Sequence, residues 1–109
     1  LKKMMAGFVR RRDWDKYHRP KNLAMSIAIE AGELMELFQW KDHGECDRLL
    51  ADKHNKKMVA HEMADLLAYI LSLANVTGID LAGAFKEKMA LNDKKYPAEK
   101  VKGKYVKPE

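Results

Sequence analysis

Apolar residues recur at helical spacing along nearly the whole of this 109-residue chain, and no strand-like alternation survives counting. Met4, Met5, Phe8 and Val9 predict a short amphipathic helix within residues 1–13, followed by a loop, D-W-D-K-Y-H-R-P, ending at Pro20. The stripe Leu23, Ile27, Ala31, Leu34 and Phe38 predicts a helix from an Asn22 N-cap to about Trp40, with a break at Gly44. A short helix over about 45–52 and a long one from about His54 to Val76 come next. The second half of the long one, D-L-L-A-Y-I-L-S-L-A, is apolar nearly all round, which predicts burial on several sides. Gly78 ends that helix, and Asp80 caps a last one to about Lys95. Pro97 and Pro108 flank a stretch expected to be extended, with residues 98–109 as a flexible basic tail. The pattern predicts one all-α domain over residues 1–109, a bundle of about four helices. Seven methionines spread along these helices read as core filler.

Composition changes this picture little: 47% hydrophobic and 34% charged residues with only three prolines exclude a low-complexity or collagen-like chain. The net charge of +5 matters more for where it lies. Lysines and arginines gather at the ends (Lys2, Lys3, Arg10–Arg12; Lys94, Lys95, Lys100, Lys102, Lys104, Lys107), whereas acids dominate between Asn22 and Asp52. An acidic centre framed by basic segments suits a metal-bound polyphosphate better than a duplex backbone, so nucleic acid is not the expected partner. Solvated helix faces account equally well for the lysines near the C-terminus. One cysteine, Cys46, cannot form an intramolecular disulfide and stands in a polar stretch as an incidental thiol. No secretion-signal or membrane-spanning pattern occurs, so a reducing, cytoplasmic setting is expected. The chain opens on Leu1, as a trimmed chain would.

Two carboxylate pairs carry the chemistry. Glu30/Glu33 in E-A-G-E and Glu62/Asp65 in E-M-A-D are each three residues apart, so each pair projects from one side of its helix. If the two helices pack antiparallel, the pairs face each other, and within a turn of either only His61 could supply a cation. A cluster of ionised carboxylates withdrawn from water needs a counter-ion, and all-oxygen ligation selects a hard one such as Mg²⁺ or Mn²⁺. A di-iron site would need Glu-x-x-His on two helices, which is absent. His61, directly before Glu62, points about 100° away around the helix and is not expected to ligate the same ion. Glu36 continues the first ridge either as a base or as an exposed side chain.

The blocks R-D-W-D-K-Y-H-R-P-K-N-L, E-A-G-E-L-M-E-L-F-Q-W-K, E-M-A-D-L-L-A-Y and K-M-A-L-N-D-K-K-Y-P together resemble the MazG-like nucleoside triphosphate pyrophosphohydrolases, in particular the short dCTP pyrophosphatase branch, over about residues 8–97. The resemblance implies an all-α, Mg²⁺-dependent enzyme that hydrolyses a nucleoside triphosphate to the monophosphate and pyrophosphate. It assigns the metal to Glu30, Glu33, Glu62 and Asp65, and phosphate or sugar contacts to Lys88, Asn92 and Tyr96; Lys95 is, beside Lys88, a further candidate cation for the leaving pyrophosphate. Where the family commonly opens each acidic block with two adjacent glutamates, this chain has Ile29 and His61 at the first. Where relatives often place a polar base-reading residue on the first helix, it has Met5.

Aromatic faces are the usual way to sandwich a base, and Trp14, Trp40 and Tyr69 are the candidates, each with a core role as the alternative. His18 is either a loop hydrogen-bonder or a ligand contact. A homodimer or homotetramer is expected, because residues 65–74 are too apolar all round for a lone small bundle. The competing reading is a non-enzymatic helical module that binds nucleic acid through its basic ends.

Overall fold

The computed structural model describes residues 1–104, and every regular element in them is helical. They are α1 (Lys2–Arg11), a 3₁₀ turn at Asp15–Tyr17, α2 (Pro20–Glu36), α3 (His43–Ala51), α4 (Lys53–Thr77), α5 (Leu81–Lys95) and α6 (Ala98–Val101). The chain divides into two compact units, Leu1–Gly78 and Ile79 onward. In the first, α4 is the spine on which α1, α2 and α3 all pack. The second contains α5 and α6.

Helix boundaries follow from their caps. Arg19 is extended (φ −100°, ψ 150°) and Pro20 opens α2, where a missing N–H costs nothing because the first-turn amides have no helical partner. Asn22 therefore lies inside the helix rather than capping it, and its amide donates to Tyr17 O at 3.3 Å, tying the 3₁₀ turn down. Expected to reach Trp40, α2 instead stops at Glu36. Leu37 N–H bonds back to Leu34 O and Phe38 N–H to Met35 O, a tightened turn that runs into the next cap.

That cap is a capping box: Asp42 Oδ1 accepts from Glu45 N–H at 2.8 Å and Glu45 Oε1 accepts from Asp42 N–H at 3.3 Å. Gly44, expected to break the chain, is the second residue of α3. Asp52 caps α4 through Asn55 N–H (3.0 Å) and Asp80 caps α5 through Gly83 N–H (3.1 Å). Gly78 ends α4 at φ 71°, a left-handed conformation that a side chain disfavours. Beyond Pro97 the chain forms the single turn α6 rather than continuing extended; Pro108 lies outside the described residues.

Among the described residues Val9, Leu23, Val59 and Ala74 are the buried apolar ones, Leu23 the most completely at 2% exposure. Much apolar surface stays uncovered. Met25, Ile29, Met35 and Met63 on α2 and α4 are all more than half exposed. Leu34, Met35, Phe38, Leu50, Val59 and Met63 line an apolar groove of about 630 Å³ among α2, α3 and α4. Among the described residues no single helix is long and apolar enough to cross a membrane.

Candidate active site

Packing α2 against α4 brings the two acid pairs together, with residues 34–38 beside 56–63 and Glu30 beside Glu62 and Asp65, so the helices run in opposite senses. Carboxylate oxygens of Glu30, Glu62 and Asp65 lie within 4.8 Å of one another. Oε2 of Glu30 and Oε2 of Glu62 are buried with no hydrogen-bond partner. Burial, and next the charge and hydrogen bonding of Glu33 followed by the charges of Asp65 and Glu62, hold the Glu30 carboxyl above its ordinary value of 4.5. Burial, then the charges of Glu33 and Asp65, raise Glu62 likewise. Glu33 is thus the fourth member, though exposed and outside the tightest trio.

This donor set fits a hard divalent cation. All the donors are carboxylate oxygens, two are orphaned away from water, and an ion among them would replace mutual repulsion with attraction. Glu36 is exposed at the end of α2 and His61 is exposed one residue ahead of Glu62; neither belongs to the trio.

Beside the acids opens a cavity of about 560 Å³ whose wall contains Glu30 and Asp65 together with Phe8, Trp14, His18 and Tyr69. Trp14 is placed there by the way α1 ends. Asp13 takes a left-handed backbone (φ 54°), Asp13 N–H bonds to Arg10 O and Trp14 N–H reaches back to Val9 O, both at 3.1 Å. That pair of bonds is a Schellman motif, with aspartate where glycine is usual. Its customary apolar contact is the Phe8–Trp14 edge-to-face pair, with centroids 6.0 Å apart at 69°. The Arg12 guanidinium covers the Phe8 ring at 3.7 Å, and its Nη1 donates to Phe8 O at 3.1 Å. Opposite α1, the His18 and Tyr69 rings lie 6.5 Å apart and tilted by 30°. Ala64 and Ala68, one turn apart on α4, leave the room that larger side chains would fill.

Of the residues singled out in the sequence, the four acids, Trp14 and Tyr69 converge in the first unit. Trp40 does not join them: it is 86% exposed in the turn after α2 and lines none of these cavities, because the helix that was to carry it ends four residues earlier. In the second unit Lys88 and Lys95 are exposed while Asn92 and Tyr96 are half-buried, Asn92 O accepts from Tyr96 N–H at 2.7 Å, and the Lys95 ammonium stands 5.5 Å from the Tyr96 ring. His18, undecided from sequence, is a wall of the cavity. Phe8, Ala64 and Ala68 were missed; the i, i+4 alanine spacing one residue off the acid pair was the available signal.

The MazG-like family matches over residues 25–106. Human dCTP pyrophosphatase 1 is 37% identical over 98 residues, which cover 90% of this chain and 58% of that protein. The rat dCTP pyrophosphatase 1 is 34% identical over 107 residues, 98% of this chain and 63% of the relative. The chain thus spans about three-fifths of the length of these relatives. Among solved structures, a pyrophosphatase from Archaeoglobus fulgidus superposes with a TM-score of 0.80 at 44% identity, over 87% of each chain.

Proposed function

This chain belongs to the MazG-like family, and from that premise we propose that it hydrolyses a nucleoside triphosphate to the monophosphate and pyrophosphate, with a deoxynucleotide such as dCTP or a modified form as substrate. The observation that carries the reading is the shared wall of the 560 Å³ cavity, where ring faces able to hold a base stand next to carboxylates able to hold a cation. The named relatives and the solved pyrophosphatase support the same reaction.

Glu30, Glu33, Glu62 and Asp65 would hold Mg²⁺, with Mn²⁺ as a substitute. When bound, such an ion neutralises a polyphosphate and acidifies a coordinated water. The chain's own residues do the rest. Trp14 and Tyr69 offer ring faces to the base, and the apolar flank of Met5, Phe8 and Ala68 keeps water from that side of the cavity. Lys88, Asn92 and Tyr96 keep the phosphate and sugar roles that the resemblance assigns, with Lys95 as a further cation for the leaving pyrophosphate; Lys88 and Asn92 are four apart on α5 and so share a face.

The uncovered groove and the exposed methionines of α2 and α4 support a homodimer or homotetramer, in which a neighbouring copy covers apolar surface that a monomer leaves in water. Trp40, exposed as it is, would then be available to that copy. The family match spans both compact units, which supports their working as one domain.

Incubation of the purified chain with a panel of dNTPs and NTPs plus Mg²⁺, following monophosphate and pyrophosphate, tests the reading. Release of pyrophosphate that stops on chelation is the expected result. Intact nucleotides throughout, with Mn²⁺ as well, would refute it.

A further inference from the structure

Trp14 stands in the cavity wall under two separate restraints. Its backbone is set by the N–H bond to Val9 O that closes α1. Its indole N–H has no protein partner among the described residues, and its ring contact is the edge-to-face pair with Phe8. The orientation of the indole is therefore only as fixed as the Phe8 ring. Packing alone does not enclose that ring. Phe8 is 37% exposed and lines two cavities at once, the one beside the acids and an apolar one of about 270 Å³ shared with Leu1, Met4 and Leu67.

Arg12 supplies what packing leaves out. Its backbone amide bonds to Val9 O at 3.2 Å, so Phe8 O, which that amide would meet in a continuing helix, accepts from the side-chain Nη1 of Arg12 instead. The same guanidinium lies over the Phe8 ring, 3.7 Å from its centroid. Among the described residues it meets no carboxylate at ion-pair distance, so both of its contacts go to one residue. A planar guanidinium can stack and donate together, whereas the ammonium of a lysine, a point charge on a flexible stem, does not hold both contacts in that geometry.

We propose that Arg12 is a positioning residue: by clamping Phe8 through ring and carbonyl it fixes the edge-to-face pair, and with it the orientation of the Trp14 indole, so that the stacking surface is formed before an occupant arrives. A surface ordered beforehand costs less on binding than one that the occupant must order itself. That the occupant is the base of a nucleotide rests on the function proposed above; the clamp on Trp14 does not.

The test begins with ¹⁵N relaxation of the indole N–H groups in the full chain without nucleotide, the two tryptophans being told apart by the signal that Trp40→Phe removes. The Trp14 indole is expected to be rigid, with an order parameter of about 0.85, and to fall in Arg12→Lys toward the values below about 0.6 that mark a flexible group. That substitution keeps the positive charge at the end of α1, so a role confined to helix stability or to attraction of anions would leave the indole unmoved. The kinetic half is a double-mutant cycle on dCTP hydrolysis. Arg12→Lys should raise KM about 2- to 5-fold with kcat held, the range of an exposed cation–π contact, and should raise it no further in a Phe8→Leu chain. A Trp14 indole that is mobile in the parent chain, or unmoved by Arg12→Lys, overturns the proposal. So does a KM rise of the same size with and without Phe8, which would put the guanidinium on the nucleotide itself. Should the chain hydrolyse no nucleotide, the functional reading falls while the indole result still judges the clamp.

Discussion

Replacing Asp65 with asparagine separates a metal-binding role from a structural one, because the two predict opposite signs without metal. Asp65 is exposed, and one of its carboxylate oxygens lies within 4.8 Å of one from Glu30. At that separation two unit charges repel by about 3.5 kcal/mol at an effective dielectric of 20 and by about 0.9 kcal/mol in a water-like one. Exposure favours the lower figure, so Asp65→Asn should stabilise the metal-free chain by about 1 kcal/mol at low salt, a rise of roughly 4–8 °C in Tm. With Mg²⁺ at 100 times its Kd, the unmodified chain gains about 2.7 kcal/mol, and a variant whose Kd is raised 100-fold gains only about 0.4 kcal/mol. The order of the two melting curves therefore reverses on adding the ion. Thermal unfolding at pH 8, first in chelator and then in Mg²⁺, reads both halves. A variant less stable than the parent in chelator, or one that gains as much from Mg²⁺, would refute the reasoning.

The raised carboxyls of Glu30 and Glu62 bind a proton more tightly folded than unfolded, so their contribution is fully present below the unfolded value near 4.5 and is lost as pH climbs through the higher folded values. Metal-free Tm should accordingly fall across that window, and Glu30→Gln should flatten the fall; an unchanged slope in the variant would remove Glu30 from the cluster. Trp14→Leu removes a stacking surface worth about 1–3 kcal/mol, which predicts a KM about 5- to 150-fold higher with kcat nearly unchanged; an unaltered KM would take Trp14 out of the pocket. No atom lies within 4 Å of a Cβ built at Gly78, so Gly78→Ala meets no clash, and its φ of 71° alone should cost about 1 kcal/mol in urea unfolding.

What could be read from the chain and what could not divides along physical lines. The acid pairs were legible because three-residue spacing on a helix fixes a shared face whatever the tertiary context, and because the apolar stripe on α2 requires that helix to pack on another. Asp80 and Gly78 were legible for the same local reason: a cap is decided within four residues. The end of α2 was not, because the stripe continues through Phe38 and the competing signal, the Asp42/Glu45 box, straddles Gly44, which attracts attention as a breaker and then proves to be helical. The error at Trp40 follows directly. Asp13 was invisible for a subtler reason: a Schellman ending with aspartate in the left-handed position lacks the glycine that advertises it.

The exposed side chains bear on the same question from the energetic side. In a monomer Met25, Ile29, Met35 and Met63 would each leave in water the kind of area that is worth roughly 25 cal/mol per Å² when covered, whereas Val9, Leu23 and Ala74 are close to fully buried. A sequence pattern that is apolar nearly all round the second half of α4 was read as burial on several sides, and within the unit Leu1–Gly78 α4 packs against α1, α2 and α3. Leu67 at 41% and Val76 at 46% exposure lie on the same helix as the buried Ser72 and Ala74. The uncovered apolar surface supports the proposed homo-oligomer, and its test is sedimentation at micromolar concentration, which should give at least twice the 12.6 kDa chain mass. Replacing Met35 and Met63 together by lysine should dissociate the assembly. Because both residues line the α2–α3–α4 groove and the acid trio does not, Mg²⁺ should still stabilise the resulting monomer. A parent chain that sediments as a monomer would refute the assembly, and loss of the Mg²⁺ response on dissociation would show that the trio depends on the neighbouring copy.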